Sequence, residues 1–110
     1  KLGALKCGGL SLTSLDITNN ANLIVLDCSS NQLKSLDVSK NSSLKYLLVN
    51  DNQLEKDELE TIFKALPIFS LTRMEDSPPP IQYPVITIFG NPGATSCNTK
   101  LITDKRWVIN

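Results

Sequence analysis

The frame Leu23-x-x-Leu26-x-Cys28-x-x-Asn31-x-Leu33 recurs 21 positions later as Leu44-x-x-Leu47-x-Val49-x-x-Asn52-x-Leu54. No other feature constrains the chain as strongly. A unit of this length cannot bury its own apolar face, so self-similarity at a fixed period calls for stacked neighbours that share one core. Moving the frame back by 21 gives Leu2, Leu5, Cys7, Leu10 and Leu12. Leucine stands at position 10, where the frame places asparagine. Asn31 and Asn52 are expected to turn inward and bond backbone groups left open where strand meets loop. Leu10 cannot do so, and the first unit is expected to be looser than the next two.

The second half of each unit is regular as well. Leu15-Asp16-Ile17-Thr18 corresponds to Leu36-Asp37-Val38-Ser39. The apolar members should point inward, and Asp16 and Asp37 read as turn-forming side chains that bond nearby backbone. They do not read as calcium ligands, because no segment brings several oxygen donors together. Units of 21 residues leave little room for helices, so short extended or 3₁₀ segments are expected opposite the strands. Cys7 and Cys28 occupy the same inward position of consecutive units and read as reduced packing thiols. Cys97 lies outside the register and is expected to be buried too.

After Leu54 the period changes. Residues 57–66 place Leu59, Ile62, Phe63 and Leu66 on one helical stripe, with Asp57 as N-cap, Glu60 three residues on, and Pro67 as the stop. Residues 70–82 carry neither period, and Pro78-Pro79-Pro80 suggests a stiff connecting loop, less readily a proline-rich recognition segment. The frame then returns as Tyr83-x-x-Ile86-x-Ile88-x-x-Asn91, 39 residues after Leu44. Asn98 reads as the N-cap of a short helix over roughly 99–105 that sets Leu101, Ile102 and Trp107 against the last unit. The division is therefore 1–54 for the 21-residue units and 55–110 for an irregular last unit and closing cap, in one continuous domain. Lys1 opens inside a unit. The chain is expected to continue upstream, or the edge of its first strand to meet another chain.

Composition narrows the function. The 110 residues carry 11 basic and 11 acidic side chains and no histidine. A net charge of zero gives no electrostatic footprint for nucleic acid. No apolar run is long enough for membrane insertion. Without histidine, a glycine-rich phosphate loop or metal-ligand spacing, neither catalysis, a cofactor nor a metal is expected.

The units reading LDCSSNQLKSLDVSKNSSL resemble the 21-residue leucine-rich repeats of bacterial secreted and cell-surface proteins of the internalin-like group. The tail ALP…ITIFGNPGATSCNT…KRWVIN resembles the cap that closes such arrays. The resemblance covers essentially the whole chain. It implies an α/β solenoid, a right-handed leucine-rich-repeat superhelix with a parallel sheet of about four strands and a helical C-terminal cap. It also implies a non-catalytic interaction module of an exported protein, secreted or at the cell surface. The alternative is a terminal cap or spacer of a longer array with no ligand of its own. One departure stands out. The family cap reads lysine-glycine-tryptophan where this chain has Lys105-Arg106-Trp107, so a left-handed residue there would strain Arg106.

Solenoids bind through the concave face of their sheet. With Leu26 and Cys28 inward, alternation sends three rows outward. They are Ala4, Val25, Tyr46, Val85; then Lys6, Asp27, Leu48, Thr87; then Gly8, Ser29, Asn50, Phe89. A protein or glycan ligand is expected on Val25, Asp27, Tyr46, Leu48, Asn50, Val85 and Phe89. Asn31, Asn52 and Asn91 are expected to be structural.

Overall fold

A computed structural model of the chain describes residues 3–69 and 83–110. The expectations for residues 70–82, including the proline segment, fall outside the described residues, as does Leu2. Five short parallel strands form one sheet: β1 (Ala4–Lys6), β2 (Val25–Asp27), β3 (Tyr46–Leu48), β4 (Val85–Thr87) and β5 (Val108–Ile109). They lie side by side in chain order. Two helices, α1 (Lys56–Ala65) and α2 (Lys100–Thr103), complete the α/β architecture.

The register follows the period. Leu5 pairs with Leu26, Leu26 with Leu47, and Leu47 with Ile86. Because alternate side chains point to opposite faces, these residues enter the core together. Leu26, Cys28, Leu33, Leu47, Val49 and Leu54 are fully buried, and Ile86 with them. Each buried leucine contributes about 1.5–3 kcal/mol relative to exposure.

Three asparagines bind neighbouring units to one another. Asn31 Oδ1 accepts the N–H groups of Leu10 (3.1 Å) and Leu12 (2.8 Å), and its Nδ2 donates to the carbonyls of Cys7 and Cys28 (3.0 Å each). Asn52 accepts from Leu33 N–H and donates to the Cys28 and Val49 carbonyls, all at 3.0 Å. Asn91 accepts from Leu54 N–H (3.0 Å) and donates to the Val49 (2.9 Å) and Ile88 (2.8 Å) carbonyls. Each side chain thus satisfies groups of its own unit and of the unit before. The residue preceding each rung, Ser30, Asp51 or Gly90, is left-handed, as is Gly9 before Leu10. At Gly90 a Cβ would overlap the Asp51 side chain, which would have to move.

Leu10 makes no rung and lies 62% exposed, and Ser11 beside it adds a left-handed residue found in no other unit. Opposite the strands, turns close through Asn20 N–H to Ile17 O (3.0 Å) and Asn41 N–H to Val38 O (3.1 Å). Of the short extended or 3₁₀ segments expected there, the described residues form no 3₁₀ segment, only turns, bends and irregular backbone. Asp16 Oδ1 takes both the N–H and hydroxyl of Thr18, and Asp37 treats Ser39 alike. Those bonds to the ionised form hold both carboxyls below the ordinary range.

Helix α1 starts and stops one residue earlier than the expected 57–66. Its N-cap is Glu55, in extended backbone with no side-chain cap bond, so the Asp57–Glu60 capping pair is not formed. Glu60 instead accepts the Asn98 N–H at 2.8 Å and pairs with Lys56 at 3.3 Å, one helical turn back. Leu59, Ile62 and Phe63 face the core, and Leu66 turns to extended backbone ahead of Pro67.

The C-terminal end locks onto α1. Lys105 Nζ donates to the carbonyls of Phe63 (3.0 Å), Lys64 (2.7 Å) and Leu66 (2.6 Å), which the helix end leaves open. Trp107 Nε1 donates to Pro67 O at 2.8 Å. The turn after α2 carries Arg106 N–H to Thr103 O (2.9 Å) and Trp107 N–H to Ile102 O (3.4 Å). That is the bond pair of a Schellman ending, with Arg106 in its left-handed position at φ +69°. Helix α2 is shorter than the expected 99–105. Asn98 Oδ1 does bond the Lys100 N–H (3.2 Å), while the residue at the N-cap position is Thr99.

Candidate functional site: the open face of the sheet

The strand register lines up Ala4, Val25, Tyr46, Val85 and Val108 as one row across the sheet. Val108 is an addition. It belongs to β5, a fifth strand where about four were expected, and two residues are too few to show alternation in a sequence. Ala4 is exposed, Val25, Tyr46 and Val85 are half-buried, and Val108 is 46% exposed. None of the five belongs to the buried core or packs against it. The row is therefore apolar surface that the fold itself does not consume.

The second row holds Lys6, Asp27, Leu48 and Thr87. Lys6 is exposed and Asp27 and Leu48 half-buried, but Thr87 is only 7% exposed, against the expectation that it faces solvent. Asn110, whose N–H bonds Ile86 O at 2.9 Å, lies beyond β5 in the register, next to Thr87 across the sheet. In the third row Ser29 and Asn50 are half-buried, and Phe89 stands 56% exposed.

Asp27 and the Asn50 amide nitrogen are engaged within the chain. Asp27 Oδ1 accepts the Ser29 N–H (3.1 Å) and hydroxyl (2.6 Å), repeating the Asp16 and Asp37 turns. Asn50 Nδ2 donates to Asp51 at 3.0 Å, and its buried Oδ1 has no partner. What the face offers outward is mostly hydrocarbon, with the Lys6 ammonium at one end.

Two expectations need correction. Tyr83 occupies an inward frame position, yet it is 39% exposed, with its ring set edge-on to Phe69 at 5.5 Å while Pro84 is buried in its place. Cys97 is half-buried, not buried. Cys7 and Cys28 are free and buried, and burial pushes the Cys28 thiol up to about 12, far from a nucleophile.

Two residues that bind units together were not singled out from the sequence. Asn41 is fully buried and donates to Ile17 O (3.0 Å) and Asn20 O (2.9 Å), forming a second asparagine bridge on the far side of the unit. Its signal was the 21-residue repeat of Asn20 at Asn41. Lys105 stood in the sequence only as part of the cap motif, and its bonds were hidden because its three acceptors lie some 40 positions away.

An open depression of about 720 Å³ lies beside the start of α1. Lys34 and Lys56 share it with Glu55, Asp57 and Glu58, so it favours neither sign of charge. Among the described residues no three His, Cys, Asp or Glu side chains group as metal ligands, and no helix is long and apolar enough to cross a membrane. Compared with family models, curated proteins and solved structures, the chain matches none.

Proposed function

We propose that this chain is the C-terminal portion of an exported bacterial leucine-rich-repeat protein and serves as a non-catalytic interaction module. In this reading the sheet is the concave face of a right-handed solenoid, and a protein or glycan ligand lies across it. The observation that carries the reading is the five-strand row Ala4, Val25, Tyr46, Val85, Val108, apolar throughout and unused by the core. A contiguous apolar patch of this kind marks a contact surface, and tyrosine is enriched among the residues that anchor partners. The 21-residue spacing of paired strands and the asparagine rungs support the solenoid assignment.

The test begins with ligands selected from a random peptide display library and a glycan array. Tyr46→Ala with Phe89→Ala is expected to weaken the selected ligand at least about tenfold while the melting temperature stays close to wild type. Unchanged affinity in that double variant removes the site from this face.

A second reading, a structural cap that closes an array, draws on the Lys105 and Trp107 bonds to the end of α1. It expects no ligand for the sheet, and it expects loss of cooperative unfolding when residues 83–110 are deleted. A ligand whose affinity depends on Tyr46 rejects it.

A further inference from the structure

We propose that the occupant of the sheet face is an acidic amphipathic helix of a partner protein, lying across the strands. This inference rests on the interaction-module reading above and names its ligand class. Val25, Tyr46, Val85 and Val108 form one apolar row across four strands. Leu48 and Phe89 add hydrocarbon in the next two rows, Leu48 half-buried and Phe89 exposed. A glycan pressed onto such a surface would bury hydroxyls without partners, at the full cost of their desolvation. The apolar stripe of a helix gives up no hydrogen bond there, because its backbone groups are paired within the helix.

Charge narrows the partner further. The carboxylates beside the apolar rows already accept hydrogen bonds, Asp27 from the Ser29 N–H and hydroxyl and Asp51 from Asn50 Nδ2. The cations are open. Lys6, in the second row, and Lys45, the residue before Tyr46, are both exposed. Neither joins either of the ion pairs found among the described residues. Complementarity therefore asks for Asp or Glu flanking the apolar stripe of the partner.

Spacing selects the backbone of that partner. Neighbouring strands stand about 4.8 Å apart, so the row offers one side chain at that interval. A helix returns to one face once per turn, about every 5.4 Å. An extended segment returns to one face every second residue, about every 6.6–6.8 Å. Laid across the strands, the helix drifts by about 0.6 Å per strand and the extended segment by about 2 Å. Over the three steps from Val25 to Val108 the extended segment slips past a whole strand, whereas the helix stays within about 2 Å. Helix positions i, i+4, i+7 and i+11 thus meet Val25, Tyr46, Val85 and Val108 in turn. An extended segment running along the strands gains little, since each strand is only two or three residues long.

Selection on the full chain from the random peptide library and the glycan array tests this. Enriched peptides are expected to carry apolar residues at i, i+3 or i+4, and i+7, with Asp or Glu between them, and no glycan is expected. A synthetic copy of an enriched peptide is expected to gain helical circular dichroism on mixing and to shift the methyl resonances of Val25, Val85 and Val108. Lys6→Glu with Lys45→Glu changes two exposed side chains and leaves the core intact. That double variant is expected to bind the peptide at least about fivefold more weakly and with less dependence on salt. Glycans, or peptides without helical spacing, whose binding depends on Tyr46 and Phe89 overturn this inference and leave the module reading standing. Ligands indifferent to Tyr46 and Phe89, or no ligand from either selection, overturn both. Unchanged affinity in the lysine variant overturns the acidic partner even where the bound peptide is helical.

Discussion

Replacing Arg106 by glycine is expected to stabilise the protein, although it removes a charge and every side-chain contact at that position. Arg106 sits at φ +69° at the end of the turn that follows α2, where Trp107 N–H closes back on Ile102 O. An L-residue in this region costs roughly 1–2 kcal/mol, because Cβ crowds the following carbonyl. Glycine escapes that crowding but loses about 0.5–1 kcal/mol more backbone freedom on folding. The difference leaves a net gain of about 0.5–1 kcal/mol. At roughly 4–8 °C per kcal/mol for a domain of this size, the melting temperature should rise by about 2–8 °C. Arg106 is exposed, and among the described residues it takes part in neither ion pair, so little opposes the gain. Arg106→Ala is the control. Alanine removes the same charge and long side chain yet keeps the Cβ, so it should leave stability close to wild type. Thermal unfolding followed by far-ultraviolet circular dichroism measures all three chains. If glycine and alanine give the same melting temperature, the left-handed backbone is not what strains this turn.

Two further outcomes follow from the bonds described above. Asn52→Ala removes the partner of Leu33 N–H, and one of the two asparagine donors to each of Cys28 O and Val49 O, which keep Asn31 and Asn91. With one buried orphan, the Leu33 N–H, costing about 1–3 kcal/mol, urea unfolding should show a loss of about that size, and unchanged stability would contradict the rung. Acidification tests Glu60, whose carboxyl is held below its ordinary 4.5 first by the Asn98 N–H and then by Lys56. A lowered folded pKa means that the unfolded chain binds protons first. This contribution is therefore present above pH 4.5 and is lost as pH falls through the folded value. Glu60→Gln, which keeps an acceptor for Asn98, should flatten that part of the melting-temperature profile; an unchanged slope would assign it to Asp16 and Asp37 instead.

The parts of the fold that were legible in the sequence are those where one residue type recurs at one period. Leu26, Leu47 and Ile86 announced the core, and Asn31, Asn52 and Asn91 announced the rungs, because only a side chain with donor and acceptor serves that slot. Left-handed backbone was legible at Arg106, where the resemblance supplied a glycine for comparison. It was not legible at Ser30 and Asp51, since their equivalents Gly9 and Gly90 are separated from them by changes of residue type. Thr87 was placed outward by alternation and is only 7% exposed, because alternation does not see the neighbours that a fifth strand brings. Glu60 was read as half of a local capping pair, and it went instead to a backbone N–H 38 residues away. On the open face, the rows were legible and their accessibility was not. Period 2 tells which way a side chain points, but whether a turn such as Asp27–Ser29 occupies it locally depends on the loop geometry beyond the strand.

The Lys105 clasp also sets an order of events during synthesis. The carbonyls of Phe63, Lys64 and Leu66 are made 39 to 42 residues before the ammonium that receives them. While the chain emerges N-terminus first, β1, β2 and β3 can meet as soon as each has left the ribosome. Helix α1 cannot finish its own C-terminal end on that schedule. It waits with three acceptors open to water until residues 105–110 arrive, and Trp107, β5 and the helix end then close together. Residues 3–54 can assemble stepwise, while the end of α1 closes with residues 105–110 in a single late step.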